Sequence, residues 1–107
     1  MGVTPEQAAR TLTEAGADLV GCNCGAGIDV YITVVRRLRT STDRPIWAKP
    51  NAGLPELQDG KVVYRESPEQ FAAKVPALAQ AGANVVGGCC GTTPEHIRAI
   101  ARVLGKS

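Results

Sequence analysis

Ala81-Gly82-Ala83-Asn84-Val85-Val86-Gly87-Gly88-Cys89-Cys90-Gly91-Thr92-Thr93-Pro94-Glu95-His96 spells out a strand, a turn and a helix start without a break. Ala83 to Val86 is a short apolar run of strand length. Gly87, Gly88 and Gly91 frame a turn that carries two adjacent thiols. Thr93 is a good N-cap and Pro94 suits the first helical position. A strand that feeds a helix through such a turn lies at the carboxyl edge of an α/β sheet, where sites are built.

The same unit occurs earlier. Ala15-Gly16-Ala17-Asp18-Leu19-Val20-Gly21-Cys22-Asn23-Cys24-Gly25 aligns with Ala81 to Gly91 at a constant offset of 66 residues. Asn23 falls on Cys89 and Cys24 on Cys90. A helix precedes each copy, opened by Thr4-Pro5-Glu6-Gln7 and by Ser67-Pro68-Glu69-Gln70. Both tetrapeptides are capping boxes with proline at the first helical turn. The repeat predicts that both units bring thiols to the same edge of the same sheet.

Between the copies, Ile28 to Arg39 predicts a helix with Val30, Ile32, Val34, Val35 and Leu38 on its buried side. Arg36, Arg37 and Arg39 would form its solvated last turn, where cations suit the helix dipole. Ala8, Ala9, Leu12 and Ala15 are the expected apolar stripe of the first helix. Pro45 to Lys49 reads as a further strand. From Asn51 to about Glu66 runs a long connection, with a turn at Asp59-Gly60, expected to lie over the site. Pro76 should break the helix that starts at Ser67. The element order is α-β-α-β-α-β-α, which calls for a parallel sheet with right-handed crossovers.

The 107 residues hold one small domain, and 44% apolar with 21% charged residues is ordinary globular composition. A net charge of +2 with scattered basic residues gives no nucleic-acid footprint and no polybasic membrane patch. No apolar run is long enough for a membrane span, and the start does not read as a signal peptide. A cytoplasmic setting is expected. The four cysteines lie too close together in pairs for a secreted disulfide scaffold, and in a reducing compartment such clusters are metal ligands or reactive thiols.

Cys24, Cys89 and Cys90 are the candidate zinc ligands, three thiolates at one edge. Neighbours in a strand point to opposite faces, so Cys89 and Cys90 share a metal only where the backbone has left the strand. Cys22 has the strand parity of Cys24 but lies further back, and reads as a small buried core residue. His96 falls in the first turn of the last helix. As a ligand it would close a Cys₃His site, whereas the commoner role of a residue there is to cap its helix. A small structural zinc or thiol-redox module also fits these residues.

The motif Gly87-Gly88-Cys89-Cys90-Gly91-Thr92-Thr93-Pro94, with the upstream Asn23-Cys24 and Pro50-Asn51-Ala52-Gly53, resembles the homocysteine-binding, zinc-dependent methyltransferase family. The Pro-Asn-Ala-Gly-Leu-Pro stretch is more similar to the cobalamin-dependent branch. The resemblance implies a (β/α)₈ TIM barrel, of which residues 1–107 would be the C-terminal part, with strands six to eight and their helices. It implies zinc held by Cys24, Cys89 and Cys90, with homocysteine thiolate as fourth ligand and Asn51 facing the substrate. The reaction implied is methyl transfer giving methionine, from methylcobalamin or methyltetrahydrofolate bound elsewhere. The implied partners are the rest of the barrel or a corrinoid module; a non-catalytic barrel remnant is the other reading. An isolated three-strand sheet is expected to flatten, to draw Cys24 away from Cys89 and Cys90, and to bind zinc weakly. It is also expected to be marginally stable, with an apolar inner face exposed.

Overall fold

A computed structural model describes residues 3–105. Helix α1 (Pro5–Glu14) is followed by strand β1 (Val20–Gly27), helix α2 (Ile28–Arg39) and strand β2 (Ile46–Asn51). A hairpin of β3 (Pro55–Gln58) and β4 (Lys61–Tyr64) comes next. Helices α3 (Pro68–Ala73) and α4 (Val75–Ala81), strand β5 (Val85–Val86) and helix α5 (Pro94–Val103) complete the chain. The alternation read from the sequence holds, with the hairpin added.

Strands β1, β2 and β5 form one parallel sheet with β2 in the centre. Val20 pairs with Ile46 and Cys22 with Ala48, and these four side chains face the helices. Ile28, Tyr31, Val35 and Leu38 of α2, Phe71 of α3, and Val75 and Leu78 of α4 fill the space beneath them. Gly21, Asn23, Trp47 and Lys49 alternate onto the other face. No helix covers that face among the described residues: Trp47 is 44% exposed, and Leu19 and Val85 are similarly open. Gly21 is required there, because a Cβ would stand 2.3 Å from the Trp47 carbonyl oxygen.

The predicted helix α2 has the right bounds, but its buried stripe is Ile28, Tyr31, Val35 and Leu38. Val30 is 53% exposed, so the expected face is turned by about one residue. On α1 only Ala9 of the expected stripe is buried, and Leu12 is exposed. Arg39 is not a solvated helix end. Its guanidinium donates to the carbonyls of Gly82 at 3.2 Å, Thr42 at 2.8 Å and Arg44 at 2.7 Å, and to Asn84 Oδ1 at 3.1 Å. It ties the end of α2 to the entry of β2 and the exit of α4. Arg37 forms a two-bonded pair with Glu6 instead.

Both expected capping boxes form, at Thr4 and Ser67, and a third forms at Thr93 with His96 as its N3 partner. The helix after Ser67 breaks at Lys74, two residues before Pro76, as an interior proline demands. The long connection after Asn51 is not an irregular loop. Asp59 and Gly60 both take positive φ, 53° and 79°, which is the tight hairpin turn that Asp-Gly favours.

Candidate metal centre

The carboxyl ends of β1 and β5 both bend over the end of the central strand. On β1 the parallel register shifts between Asn23 and Gly27. Cys24 sits at φ 59° and Gly25 at φ 74°, both left-handed. This reverses the alternation, so Cys22 and Cys24 do not share a face. Cys22 turns into the helix layer, where burial pushes its thiol up to about 11. Cys24 turns to the sheet edge, and the Tyr31 hydroxyl donates to its carbonyl.

β5 is ladder-paired over only two residues, shorter than expected, but its hydrogen bonds to β2 continue past Val86. Gly87 N–H donates to Ala48 O and Cys89 N–H to Pro50 O, each at 2.9 Å. The chain then turns. Cys90 N–H donates to Asn51 Oδ1 at 3.1 Å, and Cys90 O accepts from Ala52 N–H at 2.9 Å. Thr92 closes the turn, its N–H and its hydroxyl both donating to Cys89 O. Gly91, at φ 83°, lets the backbone leave for α5.

The result is a cluster. The sulfurs of Cys24, Cys89 and Cys90 all lie within 4.8 Å of one another, and Cys24 Sγ is 3.5 Å from Cys90 Sγ. Two thiolates on one tetrahedral zinc are ~3.8 Å apart for bonds of ~2.3 Å. The three side chains fit such an ion. The expectation that a three-strand sheet would draw Cys24 away is therefore corrected. A flat sheet separates these strands, but the left-handed residue at 24 and the turn at 89–90 carry the thiols inward over β2.

The cluster's electrostatics fit cation binding. Hydrogen bonding from Cys90, then from the Gly25 backbone, Cys89 and Asn51, holds the Cys24 thiol below the ordinary range. Cys90 is pushed up, because it is the donor to Cys24 and faces the charge that forms there. One thiolate thus forms readily, and further ones need a cation to offset them.

Asn51 is 4% exposed and links the two halves of the cluster, accepting from Cys90 N–H and helping to hold the Cys24 thiolate. His96 is a cap, not a ligand. Its Nδ1 meets Thr93 N and Oγ1 at 3.2 and 2.9 Å, and its Nε2 lies 2.8 Å from Glu66 O. Its ring stands edge-on to Phe71.

Two residues beside the cluster were missed in the sequence reading, Tyr31 and Tyr64. Tyr64 ends β4 and lies against Gly91. With so few aromatic residues in the chain, a tyrosine that closes the predicted connection was the available hint.

A profile of the homocysteine S-methyltransferase family matches residues 1–104. The chain belongs to that family. It is 37% identical over 92 residues to a protein named methionine synthase from Mycobacterium leprae, which covers 85% of this chain. It is 40% identical over 99 residues to a methionine synthase from Mycobacterium tuberculosis, covering 91% of this chain. In each case the match spans only 8% of the relative's own length. The double-cysteine turn, the upstream Asn23-Cys24 and Asn51 all lie within this family match, and the sheet edge that carries them is the one the repeat predicted. No helix among the described residues is long and apolar enough to cross a membrane.

Proposed function

We propose that this chain forms the zinc-binding part of a domain that methylates homocysteine to methionine. The carrying observation is the convergence of Cys24, Cys89 and Cys90 within 4.8 Å in a member of the homocysteine S-methyltransferase family. Parallel strands β1, β2 and β5 are read as strands six to eight of a (β/α)₈ barrel spanning residues 1–107. Their helix-free face, with Trp47 and Lys49, would then look into the barrel. A reducing cytoplasm suits three free thiols.

In this reading Cys24, Cys89 and Cys90 would hold Zn²⁺ and leave one position for the substrate thiol. Bound zinc would supply a thiolate nucleophile at neutral pH. The protein's residues do the rest. Three thiolates outweigh the charge of a divalent ion, so electron density stays on the substrate sulfur. Asn51 fixes the Cys89–Cys90 turn against Cys24 and is the residue proposed to face homocysteine. The turn itself is set by backbone bonds to Pro50 and Ala52, so the ligands are positioned before a substrate arrives. The methyl donor, methylcobalamin or methyltetrahydrofolate, would be held outside these residues, on a corrinoid module or another part of the protein.

Loading the chain with cobalt(II) in place of zinc tests this. A tetrahedral thiolate spectrum should appear, and its sulfur-to-metal charge-transfer band should gain intensity on adding homocysteine. A chain that takes up no metal, or forms a reversible Cys24–Cys90 disulfide instead, overturns the reading.

A further inference from the structure

The hairpin is not free to swing over the metal centre, because its foot is fixed beside Cys90. Tyr64 closes the β3–β4 ladder opposite Pro55. Its side chain lies on Gly91, the residue after Cys90. A Cβ at Gly91 would stand 2.4 Å from both Tyr64 Cβ and Cγ, so only glycine admits the ring there. Two residues on, Glu66 N–H donates to Ala52 O at 3.3 Å, and Glu66 O lies 2.8 Å from His96 Nε2. Ala52 in turn donates to Cys90 O. Backbone bonds thus run from Cys90 through Ala52 to Glu66, and the His96 side chain continues them to the cap of α5. The Tyr64 ring is thereby placed beside the turn that carries Cys90. A phenol O–H is a donor, and a thiolate can only accept.

We propose that Tyr64 is a positioning residue of the metal centre: its hydroxyl donates to the Cys90 thiolate, and its ring on Gly91 keeps that sulfur aimed at the ion. The inference rests on the metal reading given above. It has a chemical consequence. A site with several thiolates must methylate the substrate sulfur and spare its own. A hydrogen bond to a thiolate draws off electron density and lowers its nucleophilicity. Tyr64 supplies that bond to Cys90, and the Asn51 carboxamide does so for Cys24. A substrate thiol on the open side would have neither.

The test compares the full chain with Tyr64→Phe, which keeps the ring on Gly91 and removes the hydroxyl. Zinc affinity is measured by competition with a chromophoric chelator. Cys90 alkylation by iodoacetamide is followed by mass spectrometry on the zinc-loaded protein; there the Cys90 sulfur bonds to carbon, the carbon–iodine bond breaks and iodide leaves. Tyr64→Phe should weaken zinc about tenfold and speed Cys90 alkylation by a similar factor, while the zinc-free melting curve stays that of the parent. Tyr64→Leu should weaken zinc at least as much, because the ring is lost too. A parent that binds zinc, with a Tyr64→Phe variant unchanged in both readouts, overturns the proposal and leaves the metal reading standing. A parent that binds no zinc overturns both.

Discussion

Cys24 Sγ and Cys90 Sγ stand 3.5 Å apart across 66 residues of chain, in a sheet where a whole strand separates their backbones. The distance is closed by backbone, not by long side chains. Cys24 takes a left-handed conformation, and the Cys89–Cys90 turn is bonded to Pro50, Asn51 and Ala52 at the end of β2.

Serine at position 24, 89 or 90 should therefore reduce bound zinc from near one per chain to a small fraction, measured by elemental analysis after dialysis. Cys22→Ser should leave the zinc content unchanged, because Cys22 faces the helix layer. Equal losses from all four variants would contradict the three-ligand assignment.

Asn51→Ala removes the acceptor for Cys90 N–H and opens a buried polar gap. Leaving that donor unpaired costs about 1–3 kcal/mol, readable in a urea midpoint. Zinc affinity should fall about 10–100-fold, the usual effect of losing an outer-shell partner. Unchanged affinity would mean that the turn is held by its backbone bonds alone.

Cys22 makes the stability pH-dependent. Its folded thiol is raised by burial to about 11, against an ordinary value of 9.0. Between those values the unfolded chain has lost this proton and the folded chain still holds it. The unfolded state then binds fewer protons, so stability falls as pH rises through that window and is fully present below it. Melting temperatures of the zinc-free chain from pH 8 upward should decline less steeply in Cys22→Ala than in the parent. Parallel slopes would assign the decline to other groups.

His96→Ala should cost about 0.5–2 kcal/mol through loss of the α5 cap, visible in thermal denaturation. The zinc content should remain near one per chain, because both ring nitrogens are occupied by Thr93 and Glu66. Loss of metal without loss of stability would restore His96 as a ligand.

The α/β alternation, two of the capping boxes and the three clustered cysteines were legible in the sequence, because glycine, proline and N-cap chemistry act locally; the third box, at Thr93, is closed by His96 and shows only in the structure. The Ala15–Gly25 and Ala81–Gly91 repeat added the shared edge, an inference across the whole chain. What local rules missed was phase and contact. Val30 looks as apolar as Val35, and only the packing of α2 against the sheet and α4 decides which one is buried. Strand parity paired Cys22 with Cys24, because a left-handed cysteine has no signature in composition. Asp59-Gly60 marked a turn, but that the flanking residues pair into a hairpin and set Tyr64 on Gly91 depends on a contact 27 residues away. The role of Arg39 was hidden for the same reason: its acceptors are carbonyl groups, which every residue carries.

The left-handed backbone at Cys24 also limits which donor atoms position 24 could offer to a cation. Asparagine, aspartate and histidine enter that region several times more readily than other side chains, and β-branched residues hardly at all. A carboxylate or an imidazole could therefore replace the thiolate at 24 with little backbone penalty, whereas threonine could not. The main chain at this residue, rather than the sulfur it carries, determines how far the centre can drift toward a harder ligand set.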